Sequence, residues 1–129
     1  MTCDLVAGSA FTSSVESGGF VGGILAGYLA DAAVKRRQKQ LERDPTPRPW
    51  NPRMPIALIF MVGVAVSLHL LYFTVGPSSS QAWIMAVGFL LGASLYGPIA
   101  IFGVVATEAA PVALSGTAHA IVALAANSE

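Results

Sequence analysis

Lys35-Arg36-Arg37-Gln38-Lys39-Gln40-Leu41-Glu42-Arg43-Asp44-Pro45-Thr46-Pro47-Arg48-Pro49-Trp50-Asn51-Pro52-Arg53 holds all seven Lys and Arg residues of the 129-residue chain. The sequence on either side of it is long, apolar and without a permanent positive charge. Membrane insertion retains short Lys/Arg-rich loops on the cytoplasmic face, because carrying those charges across a bilayer is disfavoured. The stretch therefore reads as one basic cytoplasmic loop, residues 35–53, of an all-α membrane protein. Composition agrees: 54% of the residues are hydrophobic and 11% charged, against about 25% charged in a typical soluble domain. A formal net charge of zero, assembled from one basic block and scattered acids, speaks of topology rather than of partners. Nucleic acid is not indicated. Basic residues with only Trp50 among them make a weak nucleic-acid surface, and they suit a juxtamembrane loop resting on the anionic lipid of a bilayer.

Working outward, residues 54–75 contain one ionisable group, His69, and as a helix reach ~33 Å at 1.5 Å per residue. That matches a hydrocarbon core of about 30 Å. Residues 82–107 form a second span with no charged side chain, and Gly76-Pro77-Ser78-Ser79-Ser80 can only be a short turn between the two, residues 76–81, on the lumenal side. Upstream, residues 1–34 read as a transmembrane helix with a cytoplasmic end. Its apolar part, residues 11–30, is interrupted by Ser13, Ser14, Glu16 and Ser17, which call for neighbouring helices to shelter them. Residues 108–129 read as a cytoplasmic turn and an incomplete transmembrane helix. The first residues lack the basic start of a secretory signal. A single cysteine, Cys3, excludes an intrachain disulfide.

Gly19, Gly23 and Gly27 recur every four residues, and Gly18, Gly22, Ala26 and Ala30 form a second row one residue over. In lipid, apolar side chains gain little by burial against each other, so helices associate by close backbone approach along such small residues. Gly88 and Gly92 repeat the device in the third span.

Catalytic signatures are missing: no nucleophile elbow, no phosphate-cradling Gly-Lys-Ser turn and no metal-ligand spacing, so neither an enzyme nor a cofactor is expected. Polar residues at membrane depth are the functional candidates, since a charge there is costly to isolate. Glu16 is the clearest, ~22 Å along the helix axis from Asp31. His119, among Ser115, Gly116, Thr117, Ala118 and Ala120, is the one bulky polar group on a face suited to lining a cavity. His69 reads as a group that snorkels or bonds a carbonyl. Tyr96-Gly97-Pro98 is expected to interrupt or bend the third span, because Pro98 removes a backbone hydrogen bond. Glu108 is expected to be solvated at the cytoplasmic end.

The stretch Gly27-Tyr28-Leu29-Ala30-Asp31, followed by Lys35-Arg36-Arg37, resembles the cytoplasmic loop motif of the major facilitator superfamily. Ala32 stands where that family often has Arg directly after the Asp, so Lys35 and Arg36 are expected to supply the loop's charge network. Residues 16–31, then Leu95-Tyr96-Gly97-Pro98-Ile99-Ala100-Ile101-Phe102-Gly103, then Gly116-Thr117-Ala118-His119-Ala120-Ile121-Val122, are similar to the organophosphate:phosphate antiporters, and within them to the glucose 6-phosphate exchangers of the endoplasmic reticulum. The resemblance implies a fragment of the carboxy-terminal half of a twelve-helix fold, about helices eight to eleven, in a multi-pass protein of the endoplasmic reticulum membrane. It further implies exchange of glucose 6-phosphate for inorganic phosphate, functional coupling to a lumenal phosphatase, and substrate contacts from His119 and Tyr96. Gly27, Asp31, Lys35 and Arg36 would form the gating loop. By itself the fragment would be inactive, since no Lys or Arg lies inside a span to grip phosphate. Two other readings stand beside this one: a related organophosphate antiporter with another substrate, and a small four-span structural or regulatory subunit.

Overall fold

The structure, a computed structural model, describes residues 2–44, 46, 50–76 and 78–127. Parts of the 35–53, 76–81 and 108–129 segments thus lie outside the described residues. The described chain is all-α, and three of its helices are long and apolar enough to cross a membrane, which makes it a multi-pass membrane protein.

The first helix, α1, runs unbroken over Thr2–Arg43. Its 42 residues correspond to ~63 Å, about twice a hydrocarbon core. The segment read from sequence as a loop is therefore helical through Arg43. Lys, Arg, Gln, Glu and Leu are all good helix formers, and no Gly or Pro intervenes before Pro45, ahead of which a helix is expected to stop. The next helix, α2, spans Met54–Thr74 and starts with a Pro in its first turn, where the missing N–H would have had no intrahelical partner. Between α2 and the third helix, α3 (Gln81–Ala109), the turn is closed by side chains. The Ser79 hydroxyl accepts from the Gly76 N–H at 2.9 Å and donates to the Thr74 carbonyl at 3.0 Å. Ser80 caps α3 by accepting from the Trp83 N–H at 3.3 Å, and the Trp83 indole donates to Thr74 Oγ1 at 2.9 Å. Helix α3 continues through Pro98 without ending, contrary to the expected interruption. Gly97 and Pro98 are both buried, and the Phe60 ring of α2 lies against Gly97, so packing holds the segment helical. Pro111 precedes a short 3-10 turn, Val112–Leu114, and a fourth helix, α4, over Ser115–Asn127. At 13 residues and ~20 Å, α4 is shorter than a span.

All three other helices pack on α3. Helix α1 lies parallel to it: Ser14 meets Met85, Gly18 meets Phe89 and Gly22 meets Ala93 in rising order. Helix α2 lies antiparallel, with Gly63 against Ser94, Phe60 against Gly97, and Ala57 and Ile101 together in the core. This up-down-up course is what two spans joined by a short turn, preceded by a third, must adopt.

Of the two small-residue rows on α1, one lies against the backbone of α3, and the other meets it only at the Tyr96 ring. A Cβ on Gly18 would overlap the Phe89 backbone, one on Gly22 the Ala93 backbone, and one on Gly92 the Val15 backbone. Ala26 and Ala30 continue that row into the core. Gly19 of the other row lies under the Tyr96 ring, whereas Gly23 and Gly27 face open space. Close backbone approach, expected along both rows, is thus found at Gly22 and not at Gly23. Of the polar residues of the first span, expected to be sheltered by neighbouring helices, only Ser14 is, donating across to the Met85 carbonyl at 2.5 Å; Ser13, Glu16 and Ser17 are exposed, with Ser17, like Thr12, bonding a carbonyl one turn back in α1. Large apolar side chains such as Phe20, Ile59 and Tyr72 point outward. Lipid, unlike water, imposes no cost on that arrangement.

Candidate functional site: a three-helix ion bridge

An Arg at a helix N-terminus meets the positive end of the macrodipole, and a Glu in the last turn of a helix meets the negative end. Arg53 is the N-cap residue of α2, and Glu108 is the penultimate residue of α3. Each alone is misplaced. Helix packing brings them together, and Arg53 Nη1 donates to Glu108 Oε2. Its other terminal nitrogen, Nη2, lies 3.4 Å from Oδ1 of Asp31 on α1. One guanidinium thereby joins the start of α2 to the last turn of α3 and to α1 at Asp31, well before that helix ends. It also lets α1 and α3 supply the negative charge that the first turn of α2 does not carry itself.

The Arg53 side chain is 7% exposed, whereas those of Asp31 and Glu108 are 67% and 56% exposed. The cation is thus buried and the anions remain wetted. The Arg53 pKa is raised above its ordinary value, foremost by the hydrogen bond to Glu108, against a lowering by burial, with the charges of Glu108 and Asp31 adding to the rise. A raised cation pKa contributes stability that is fully present below the unfolded value and lost only above the folded one, so the group stays charged throughout the physiological range. Arg53 Nε is buried without a hydrogen-bond partner among the described residues. Beside the bridge lies a small cavity of about 110 Å³ between α1 and α3, lined by Gly27, Asp31, Arg53, Ala100 and Val104 among others.

Of the residues singled out from sequence, Asp31 and Gly27 are thus at this site. Lys35 and Arg36 are exposed on the helical extension of α1, and the partner of Asp31 is Arg53 rather than either of them. Glu108, expected to be merely solvated, is a principal member. Folding the hairpin back about the 76–81 turn puts Arg53 and Glu108 at one end, and that register is the signal by which the sequence could have shown the pair.

Tyr96 and His119 lie elsewhere. The Tyr96 ring is half exposed against Gly19 of α1. His119, exposed on α4, rests on Gly103 of α3, where a Cβ would stand 3.0 Å from its Cε1. Tyr96 and Gly103 are two turns apart, hence on one face of α3 and ~10 Å apart along its axis. The structure therefore puts both candidates on a common side of α3 at different depths. Glu16 sits on the exposed side of α1. His69 stacks on Phe73 with ring centroids 4.4 Å apart, one turn along α2. Among the described residues, no three His, Cys, Asp or Glu side chains come together as a metal site. No protein-family model matches this chain, and no solved structure matches it.

Proposed function

We propose that residues 1–129 are part of a secondary transporter of the major facilitator type that exchanges glucose 6-phosphate for inorganic phosphate across the endoplasmic reticulum membrane. In this reading the Asp31, Arg53 and Glu108 bridge is the latch at the cytosolic end. The observation that carries the proposal is that one buried cation ties three spans together, two of which lie far apart in sequence from it. Alternating access requires helix ends that are held in one state and released in the other. Two features suit release: the carboxylates are already wetted, and one guanidinium nitrogen has no hydrogen-bond partner among the described residues. The grip on phosphate is assigned to cationic residues outside this chain, with His119 and Tyr96 adding polar contacts to the sugar from one side of α3.

Vesicles preloaded with phosphate and carrying the complete exchanger test this. A charge-assisted hydrogen bond contributes about 1.5–3 kcal/mol, so Glu108→Gln should shift the closed-to-open ratio of the cytosolic end by about 10- to 150-fold. Glucose 6-phosphate uptake should fall accordingly, and thiol labelling at that end should rise. Uptake that ignores internal phosphate, or that is untouched by Glu108→Gln and Arg53→Gln, would sink the reading.

A further inference from the structure

Helices α1 and α2 both pack on α3 and scarcely on each other. Between them opens a cleft of about 500 Å³. Its walls are apolar, formed by Leu29 and Ala33 from α1 and by Ile56, Ile59 and Phe60 from α2, while its mouth carries Arg36, Arg37 and Gln40. Among the described residues, no acidic one lines it. We propose that this cleft is a binding site for one anionic phospholipid, its phosphate held by Arg36 and Arg37 and an acyl chain lying along Ala33, Ile56 and Phe60. The proposal requires only that the chain spans a membrane, and it stands independently of the transported substrate.

Three features select a lipid over a soluble anion. The mouth lies at headgroup depth, since Arg36 follows Ala30 by six residues, or ~9 Å along the axis beyond the apolar stretch. The walls are continuous with the outward apolar surface at Ile59 and Leu58, so a free phosphate would fill the mouth and leave the walls uncovered. A guanidinium suits a diffuse, bidentate acceptor such as a phosphodiester. Arg36 makes no ion pair among the described residues, and Arg37 Nη1 donates to the Trp50 carbonyl at 3.0 Å, which holds its guanidinium at the mouth. Trp50 itself is exposed, in keeping with an aromatic anchor at the membrane interface. Cationic pockets between spanning helices on the cytoplasmic side are the usual form of headgroup recognition.

Trp50 provides the readout. In a Trp83→Phe background it is the sole indole, and the full chain in a non-ionic micelle can be titrated with dibrominated phosphatidylglycerol, dibrominated phosphatidylcholine, or inorganic phosphate as competitor. The expectation is quenching by phosphatidylglycerol at a mole fraction at least tenfold lower than by phosphatidylcholine, with little competition from inorganic phosphate. Arg36→Gln should weaken it more than tenfold. Ala33→Phe, which fills the groove and keeps every charge, should do the same. Lys39→Gln removes an equal charge outside the cleft and should cost no more than about fivefold, the effect of one generic surface cation. Circular dichroism of each variant checks that the helices persist. Equal losses for Lys39→Gln and Arg36→Gln, an unaffected Ala33→Phe, equal quenching by the two lipids, or displacement by inorganic phosphate would each overturn the proposal.

Discussion

Gly22 and Gly23 are neighbours in sequence and opposites in packing, and one pair of substitutions exposes the difference. A Leu at either position adds the same apolar volume to the same helix. At position 22 the new Cβ would overlap the carbonyl oxygen, Cα and carbonyl carbon of Ala93. Backbone atoms cannot rotate out of the way, so α1 must move off α3 and loosen the neighbouring contacts at Gly18 and Ala26. Overpacking of this kind costs about 1–3 kcal/mol, and a backbone clash belongs at the upper end. At position 23 nothing lies within 4 Å of the Cβ, and replacing Gly in a helix interior gains up to about 1 kcal/mol of propensity. The two variants should therefore differ by about 3 kcal/mol. At roughly 3–5 °C per kcal/mol for a chain of this size, Gly22→Leu should melt about 10–15 °C below Gly23→Leu. Both proteins, purified in one mild detergent, can be heated while helical ellipticity and monodispersity are followed. Equal melting temperatures, or Gly23→Leu melting first, would refute the packing of α1 on α3.

The ion bridge predicts an order of severity. Glu108→Gln should cost about 1.5–3 kcal/mol of thermal stability, Asp31→Asn less than about 1 kcal/mol because its contact is longer and its carboxylate wetted, and Lys35→Gln next to nothing; chemical denaturation of the three variants gives the ranking. Gly103→Ala should displace the His119 ring and destabilise, and His119→Ala in the same molecule should relieve it, giving a coupling of about 0.5–3 kcal/mol in a double-mutant cycle; strict additivity would separate the two residues. Orientation is tested by glycosylation acceptors placed in lengthened versions of the two loops. Microsomal modification near Ser78 alone is expected, and modification near Thr46 alone would invert the topology.

How far the amino-acid sequence led is best judged residue by residue. The long apolar helices were legible in charge and length, since a bilayer is a one-dimensional constraint that sequence obeys directly, and the turn between α2 and α3 needed only its Gly, Pro and Ser. Choosing between the Gly22 row and the Gly23 row was another matter. The two rows are separated by one residue, about 100° around the helix, and the choice depends on which groove of α3 receives them. Lys35 to Arg43 did carry a helix signal in its composition, but charge read as solvation obscured it. Arg53 was lost because its partners lie on two other helices, and only the hairpin register connects them.

The unbroken length of α1 makes it a lever. Gly22, where it presses on α3, sits near the middle of its ~63 Å, and Arg43 lies 21 residues further on, ~32 Å from that fulcrum. A tilt of about 10° at the fulcrum would swing the tip by ~5 Å, a displacement far larger than any at the pivot itself. The helix thus converts a small rearrangement inside the bilayer into a movement in the aqueous phase, where a soluble protein or a distance probe attached near Arg43 can detect it.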